Sequence, residues 1–163
     1  MKFTAYPLKM RPIFKERVWG GSNLKTALNK KIYGHKKIGE SWEISTVGEN
    51  ISIIENGKYR NVSLLELVND YSEQLLGGNF KNSTVFPLLY KFIDATENLS
   101  VQLHPDKEKA FKLEKKYIGK TEGWYIIKSK TNKIILDFDK KLSYADIKKE
   151  IRNNQIENIL NYH

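Results

Sequence analysis

Leu99-Ser100-Val101-Gln102-Leu103-His104-Pro105-Asp106 is the stretch on which the reading of this chain turns. Side chains on a strand alternate between two faces, so Val101 and Leu103 share one face while Ser100, Gln102 and His104 share the other. Three polar groups in line are unusual inside an apolar segment. An amide oxygen and an imidazole two residues apart can converge on one ion. Pro105 then ends the strand, because proline has no N–H to continue a ladder. A solvated sheet face carrying an incidental histidine is the competing reading of the same pattern.

The neighbouring residues favour a site. Lys91 lies in the apolar run from Phe86 to Ile93, and Gly119-Lys120-Thr121-Glu122-Gly123-Trp124 follows downstream. A histidine, a carboxylate and two lysines are the groups from which a metal site facing an anionic ligand is made.

The segment FPLLYKFIDATENLSVQLHPDKEKA (86–110), followed by GKTEGWYII (119–127), resembles the core of the type I mannose-6-phosphate isomerases. RPIFKERVWGG (11–21) and IGESWEIS (38–45) resemble that family's N-terminal motifs, in the same order. Four motifs in order make the resemblance specific, and it extends from Arg11 to about Ile127.

The rest of the composition bounds the possibilities. The chain has 163 residues, 40% of them hydrophobic and 12% aromatic, which suffices for one globular domain, taken here as residues 1–163. There is no cysteine, so disulfides and thiolate metal sites are excluded and a metal would need His, Glu, Asp or Gln. The N-terminal stretch lacks a continuous apolar core of the kind a signal peptide carries. No run approaches the roughly 20 apolar residues of a membrane span. A cytoplasmic protein with no membrane contact is expected. The net charge of +9 would suit nucleic acid, but the lysines are scattered in pairs such as Lys36-Lys37 and Lys148-Lys149 with no nucleic-acid module. They read as solvated surface, and no nucleic-acid partner is expected.

In chain order, residues 1–21 read as an extended arm, with Trp19 either at a site or covering the core edge. Residues 22–37 form a polar connection with a short helix, in which His35 is assigned no role. Residues 38–45 alternate as a strand with Glu40 and Trp42 on one face, and 51–54 form another, followed by an Asn56-Gly57 turn. Val62 to Leu76 reads as a helix, with Ser63 and Glu66 at capping-box spacing and Gly77-Gly78 as its stop. Strands are expected over 85–94 and 99–104, and a helix over 106–117 capped by Asp106. Strands over 122–128 and 133–138 are expected to form a hairpin around Lys130-Thr131-Asn132. A helix with a Ser143/Asp146 capping box covers 143–153, and a helical turn covers 156–160. Short strands with few helices argue a mainly β sandwich or barrel.

The resemblance sharpens this to a cupin-like jelly roll with a few flanking helices, incomplete relative to the family's full length. It implies zinc held by Gln102, His104 and Glu122. It implies Ser100 and Lys91 as binders of a sugar phosphate's phosphate, Glu40 and Trp19 as residues bordering the substrate, and Lys120 as a catalytic lysine lining the cleft. An exposed edge lysine is the competing reading of Lys91, and a surface carboxylate that of Glu40. The implied reaction interconverts mannose 6-phosphate and fructose 6-phosphate; a non-catalytic cupin that binds metal or sugar phosphate is the alternative. The family's distal histidine ligand and the arginine after it have no match here, and His163 sits in an expected helical stretch. A homodimer that covers the exposed surface, or a partner chain that supplies those groups, is therefore expected.

Overall fold

The computed structural model describes residues 2–34, 36–102, 104–115, 119–131, 133–138 and 141–163, with the side chain of Glu114 left aside. His35, the Leu103 position of the expected 99–104 strand, the 116–117 end of the expected 106–117 helix and Asn132 of the expected hairpin turn lie outside these residues. The chain divides into two compact units, Met1–Gln102 and Leu103–His163.

The first unit is organised by an antiparallel sheet of β1 (Ile13–Gly21), β2 (Ile38–Ile44) and β5 (Tyr90–Ile93), in the order β1-β2-β5. β2 is central, and its seven residues IGESWEI begin with four buried positions. Lys15 pairs with Glu40, while Trp42 pairs with Ile13 on one side and Lys91 on the other. Directly opposed residues project to the same face, so Lys15, Glu40, Trp42 and Lys91 share one face of this sheet. The β1–β2 register slips after Lys15 and again before Gly21. Where the strands crowd, a Cβ at Gly20 would stand 2.6 Å from the Gly39 nitrogen and 2.7 Å from the Ile38 carbonyl carbon. Only a bare Cα fits between those backbones.

The arm before β1 is not loose. Phe3, Tyr6, Leu8 and Met10 pack on the buried cluster of Ile54, Tyr59 and Leu67, together with Val62, Tyr71 and Leu75. Tyr6 stacks on Tyr59 at 5.8 Å between centroids, and its hydroxyl accepts from the Tyr59 backbone N–H at 2.9 Å. Helix α2 (Leu64–Leu76) supplies the facing apolar stripe, with Leu64, Leu67 and Val68 buried. Its start follows the expected capping box: Ser63 accepts from the Glu66 backbone N–H, and Glu66 accepts from that of Ser63. A short helix α1 (Asn23–Thr26) is pinned to β5 by the buried carboxylate of Asp94, which accepts from the Asn23 backbone at 2.6 Å and side chain at 2.8 Å. β3 (Thr46–Val47) and β4 (Asn50–Ile51) form a small hairpin, shorter at its far end than the expected 51–54 strand.

The second unit holds α3 (Lys107–Glu114), capped by Asp106, and α4 (Tyr144–Arg152), whose Ser143/Asp146 capping box forms as expected. Several expectations are corrected. Residues 99–102 carry no ladder and are not a strand, and the expected 85–94 strand contracts to Tyr90–Ile93. Residues 122–128 likewise form no strand. β6 (Ile135–Phe138) instead pairs antiparallel with β7 (Leu160–Tyr162), which follows a 3-10 turn at Ile156–Ile159, where a helical turn over 156–160 is expected. His163 therefore ends a strand pair, exchanging backbone hydrogen bonds with Ile134, and does not continue a helix. Among the described residues, no helix is long and apolar enough to cross a membrane.

Candidate active site

Two groups of polar side chains emerge, one in each unit. In the second unit, the Asp106 cap and the Gly119 turn bring the 104–106 and 119–122 segments together; a Cβ at Gly119 would lie 3.2 Å from the Lys107 backbone nitrogen. His104 Nε2 stands 3.0 Å from Glu122 Oε2. The Lys120 ammonium reaches the other carboxylate oxygen at 3.1 Å and the same imidazole nitrogen at 3.4 Å. The His104 and Glu122 side chains keep 27% and 28% of their accessible surface, so they are shielded yet reachable. Burial pushes the Glu122 carboxyl upward, but the hydrogen bond and charge of Lys120, then those of His104, outweigh it and hold the group below its ordinary value.

This donor set fits one ion. Two ligands of a tetrahedral zinc, each about 2.0–2.1 Å from the metal, stand about 3.3 Å apart. The Nε2–Oε2 separation is close to that spacing, and the Lys120 ammonium helps keep the Glu122 carboxyl in the ionised form that a metal ligand must have. No group of three or more His, Cys, Asp or Glu side chains that could hold a metal gathers among the described residues. His163 bonds instead to Asn161 at 3.2 Å.

In the first unit, Gln102 donates to Ser100 Oγ at 3.2 Å, so the two-residue spacing does bring these polar groups to one side even without a strand. The sheet carries the other group. The Glu40 carboxylate, only 8% exposed, meets three donors from three adjacent strands. Arg17 of β1 approaches Oε2 at 3.0 Å, Trp42 of β2 donates its indole N–H to Oε2 at 2.8 Å, and Lys91 of β5 reaches Oε1 at 3.3 Å. The reading of Glu40 as an ordinary surface carboxylate is thereby corrected. Burial raises the Glu40 carboxyl, but the Trp42 hydrogen bond and the charges of Lys91 and Arg17 overcome it and leave it below the ordinary 4.5. Lys15 lies over the Trp42 ring at 5.0 Å and hydrogen-bonds Asn50. Trp19 sits alongside: a Cβ at Gly39 would collide with its ring and with Arg17 Cβ. Glycine at 39 is what lets both side chains lie over β2.

Arg17 and Trp42 were missed by sequence reasoning as site residues. The period-two spacing of Lys15, Arg17 and Trp19 was available, but only the pairing of β1 with β2 brings Arg17 to Glu40.

The depressed Glu40 carboxyl has a consequence for stability. A carboxylate whose folded value lies below its unfolded one contributes stability above the unfolded value, lost as pH falls through the folded one. Glu40→Gln is expected to destabilise the protein by about 1–3 kcal/mol at neutral pH, the usual penalty for leaving buried partners unpaired. The difference from the parent chain should narrow below about pH 4.5, the ordinary value. Glu66, Asp106 and Asp146 are also held low by capping hydrogen bonds, so only the difference between the two melting curves, measured against pH, isolates Glu40.

Comparison with known proteins identifies the family. Residues 8–149 match the model of the phosphomannose isomerase type I catalytic domain. The chain is 42% identical over 125 residues to the probable mannose-6-phosphate isomerase GmuF of Bacillus subtilis, covering 77% of this chain and 38% of that protein. It is 42% identical over 123 residues to a mannose-6-phosphate isomerase of Streptococcus mutans, covering 76% and 37%. The crystal structure of the mannose 6-phosphate isomerase from Bacillus subtilis superposes with a TM-score of 0.85 at 34% identity, over 96% of this chain and 49% of that one. The chain thus spans about two fifths of the length of the curated relatives it matches. The fold is mainly β and cupin-like, with sheets that are small and partial. With the family model matching most of its length and four motifs in the family's order, this chain belongs to the type I phosphomannose isomerases.

Proposed function

We propose that the chain contributes the metal and phosphate side of a mannose-6-phosphate isomerase site, acting on mannose 6-phosphate and fructose 6-phosphate. The observation that carries this reading is the His104–Glu122–Lys120 cluster, in which two metal-competent atoms stand 3.0 Å apart beside an ammonium. His104 and Glu122 would hold zinc, with Gln102 added as a ligand on the family motif. When bound, the metal supplies Lewis-acid stabilisation of the negative charge that develops on the sugar's oxygens.

The isomerisation moves a proton between C1 and C2 of the sugar through an enediol. Negative charge builds on the oxygens during that transfer, and a fixed cation beside them lowers the barrier without having to reorganise. Lys120 is that cation here, oriented by Glu122. On the family resemblance, Lys91 and Ser100 are assigned to the phosphate group of the substrate. Trp19 borders the sugar.

The family's distal histidine and arginine have no match in this sequence, so full turnover requires those groups from elsewhere. A further polypeptide segment that carries them, as the matching remainder of a relative does, is proposed as the source. The test is conversion of mannose 6-phosphate in a coupled assay, with and without zinc. Slow, zinc-dependent conversion by the chain alone is expected, increasing when the matching remainder of a relative is added. Zinc-independent turnover, or no turnover even with that remainder present, would overturn the reading in favour of a non-catalytic binding cupin.

A further inference from the structure

The cationic face of the β1-β2-β5 sheet supports a more specific assignment, which rests on the isomerase reading for its ligand class. We infer that Arg17 is a phosphate-binding residue and that Glu40 is a positioning residue, holding Arg17 and Lys91 as a pair facing a phosphate monoester.

Glu40 has no free capacity to contact a sugar. Its two oxygens take Arg17, Trp42 and Lys91, and its side chain is almost wholly buried. The two cations it holds are different: Arg17 keeps 37% of its side-chain surface and Lys91 keeps 21%. A guanidinium has five N–H donors and an ammonium three. Among the described residues, Arg17 uses its bonds on Glu40 and on the Glu16 backbone carbonyl, and Lys91 its bond on Glu40. Both therefore have donors left over, and both keep part of their surface exposed.

Charge points the same way. Arg17, Lys91 and Lys15 on this face outnumber Glu40 by three to one. The cations come from both strands that flank β2, Lys15 and Arg17 from β1 and Lys91 from β5, and each is fixed: Lys91 and Arg17 by Glu40, Lys15 by the Trp42 ring and Asn50. A planar fork beside a point charge matches the oxygens of a phosphate dianion. A sheet of paired strands holds such a pair more rigidly than a loop would.

The two roles of a carboxylate beside an anion site have opposite signs. If Glu40 only adds negative charge, its removal strengthens phosphate binding. If it positions the cations, its removal weakens binding even though a like charge is gone. Calorimetric titration of the intact chain with inorganic phosphate, mannose 6-phosphate and unphosphorylated mannose reads this without any turnover. The parent chain is expected to bind both phosphates and not mannose. Arg17→Gln is expected to weaken phosphate binding roughly tenfold, the usual loss for one charge-assisted contact. Glu40→Gln is expected to weaken it several-fold, with Glu40→Asp restoring part of the loss.

Should Glu40→Gln fail to fold by circular dichroism, Arg17→Lys carries the test, because it keeps the charge and removes the fork. Weakened binding in that variant supports the assignment, and unchanged binding overturns it. Absence of phosphate binding in the parent chain, or tighter binding in folded Glu40→Gln, also overturns it. Phosphate binding through Arg17 in a chain that never converts mannose 6-phosphate would leave this inference standing while removing the isomerase reading.

Discussion

His104→Ala is expected to lower the zinc affinity of the chain by roughly 100-fold or more. Loss of a mere outer partner of a metal ligand costs about 10–100-fold, and His104 is proposed as a ligand itself. Its Nε2 and the Glu122 Oε2 are 3.0 Å apart, so removing the imidazole leaves the carboxylate facing Lys120 alone. The ammonium then closes onto Glu122 and opposes the incoming ion. Lys120→Gln should act in the other direction and raise zinc affinity, since the competing positive charge is gone. Both ligands must be deprotonated to bind, so affinity should fall with falling pH in the parent chain. Competition titration against a chromophoric chelator measures all three effects. Equal affinity in parent and His104→Ala would remove His104 from the site.

The second large effect is structural. Leu67→Ala is expected to destabilise the protein by about 2–5 kcal/mol, the range for deleting a buried leucine side chain without full collapse of the cavity. Leu67 lies on the buried stripe of α2 and is almost fully enclosed by Ile54, Tyr59 and the aromatic residues of the N-terminal arm. Those rings are held by their own hydrogen bonds, Tyr6 to Asn56 and Tyr59 to the Thr4 backbone, so they are poorly placed to fill the space. Urea unfolding should show a lower midpoint. A loss below about 0.5 kcal/mol, the usual scale of a surface substitution, would mean that this cluster is not the core of the first unit.

Capping boxes were the most legible features of the fold. Ser63/Glu66 and Ser143/Asp146 form as their spacing predicts, because a cap is settled within four residues. Strand partners were not legible in the same way. Alternation says which face a residue takes but not which strand it will meet. The 122–128 segment has the composition of a strand, yet β6 pairs with β7 across more than twenty residues, and Trp124, Tyr125, Ile126 and Ile127 are left exposed. Likewise Ser100 and Gln102 share a side as expected, though no ladder forms around them.

The site divides along the same line. His104, Lys120 and Glu122 were legible because two short motifs carry them, and the structure brings all three within hydrogen-bonding distance. Glu40 was legible as a residue but not in its role, which depends on Arg17 arriving from β1 and Lys91 from β5. Such a role is set by sheet register, and register is a long-range property that no local spacing encodes.

The measurement that bears most directly on the account is a zinc titration of the metal-free chain. One zinc per chain is expected, bound more weakly than the nanomolar range because the ligand set is partial, with binding reduced in His104→Ala. A chain that shows no saturable zinc binding, or one that binds at nanomolar affinity and turns over fully without any added polypeptide, would contradict it.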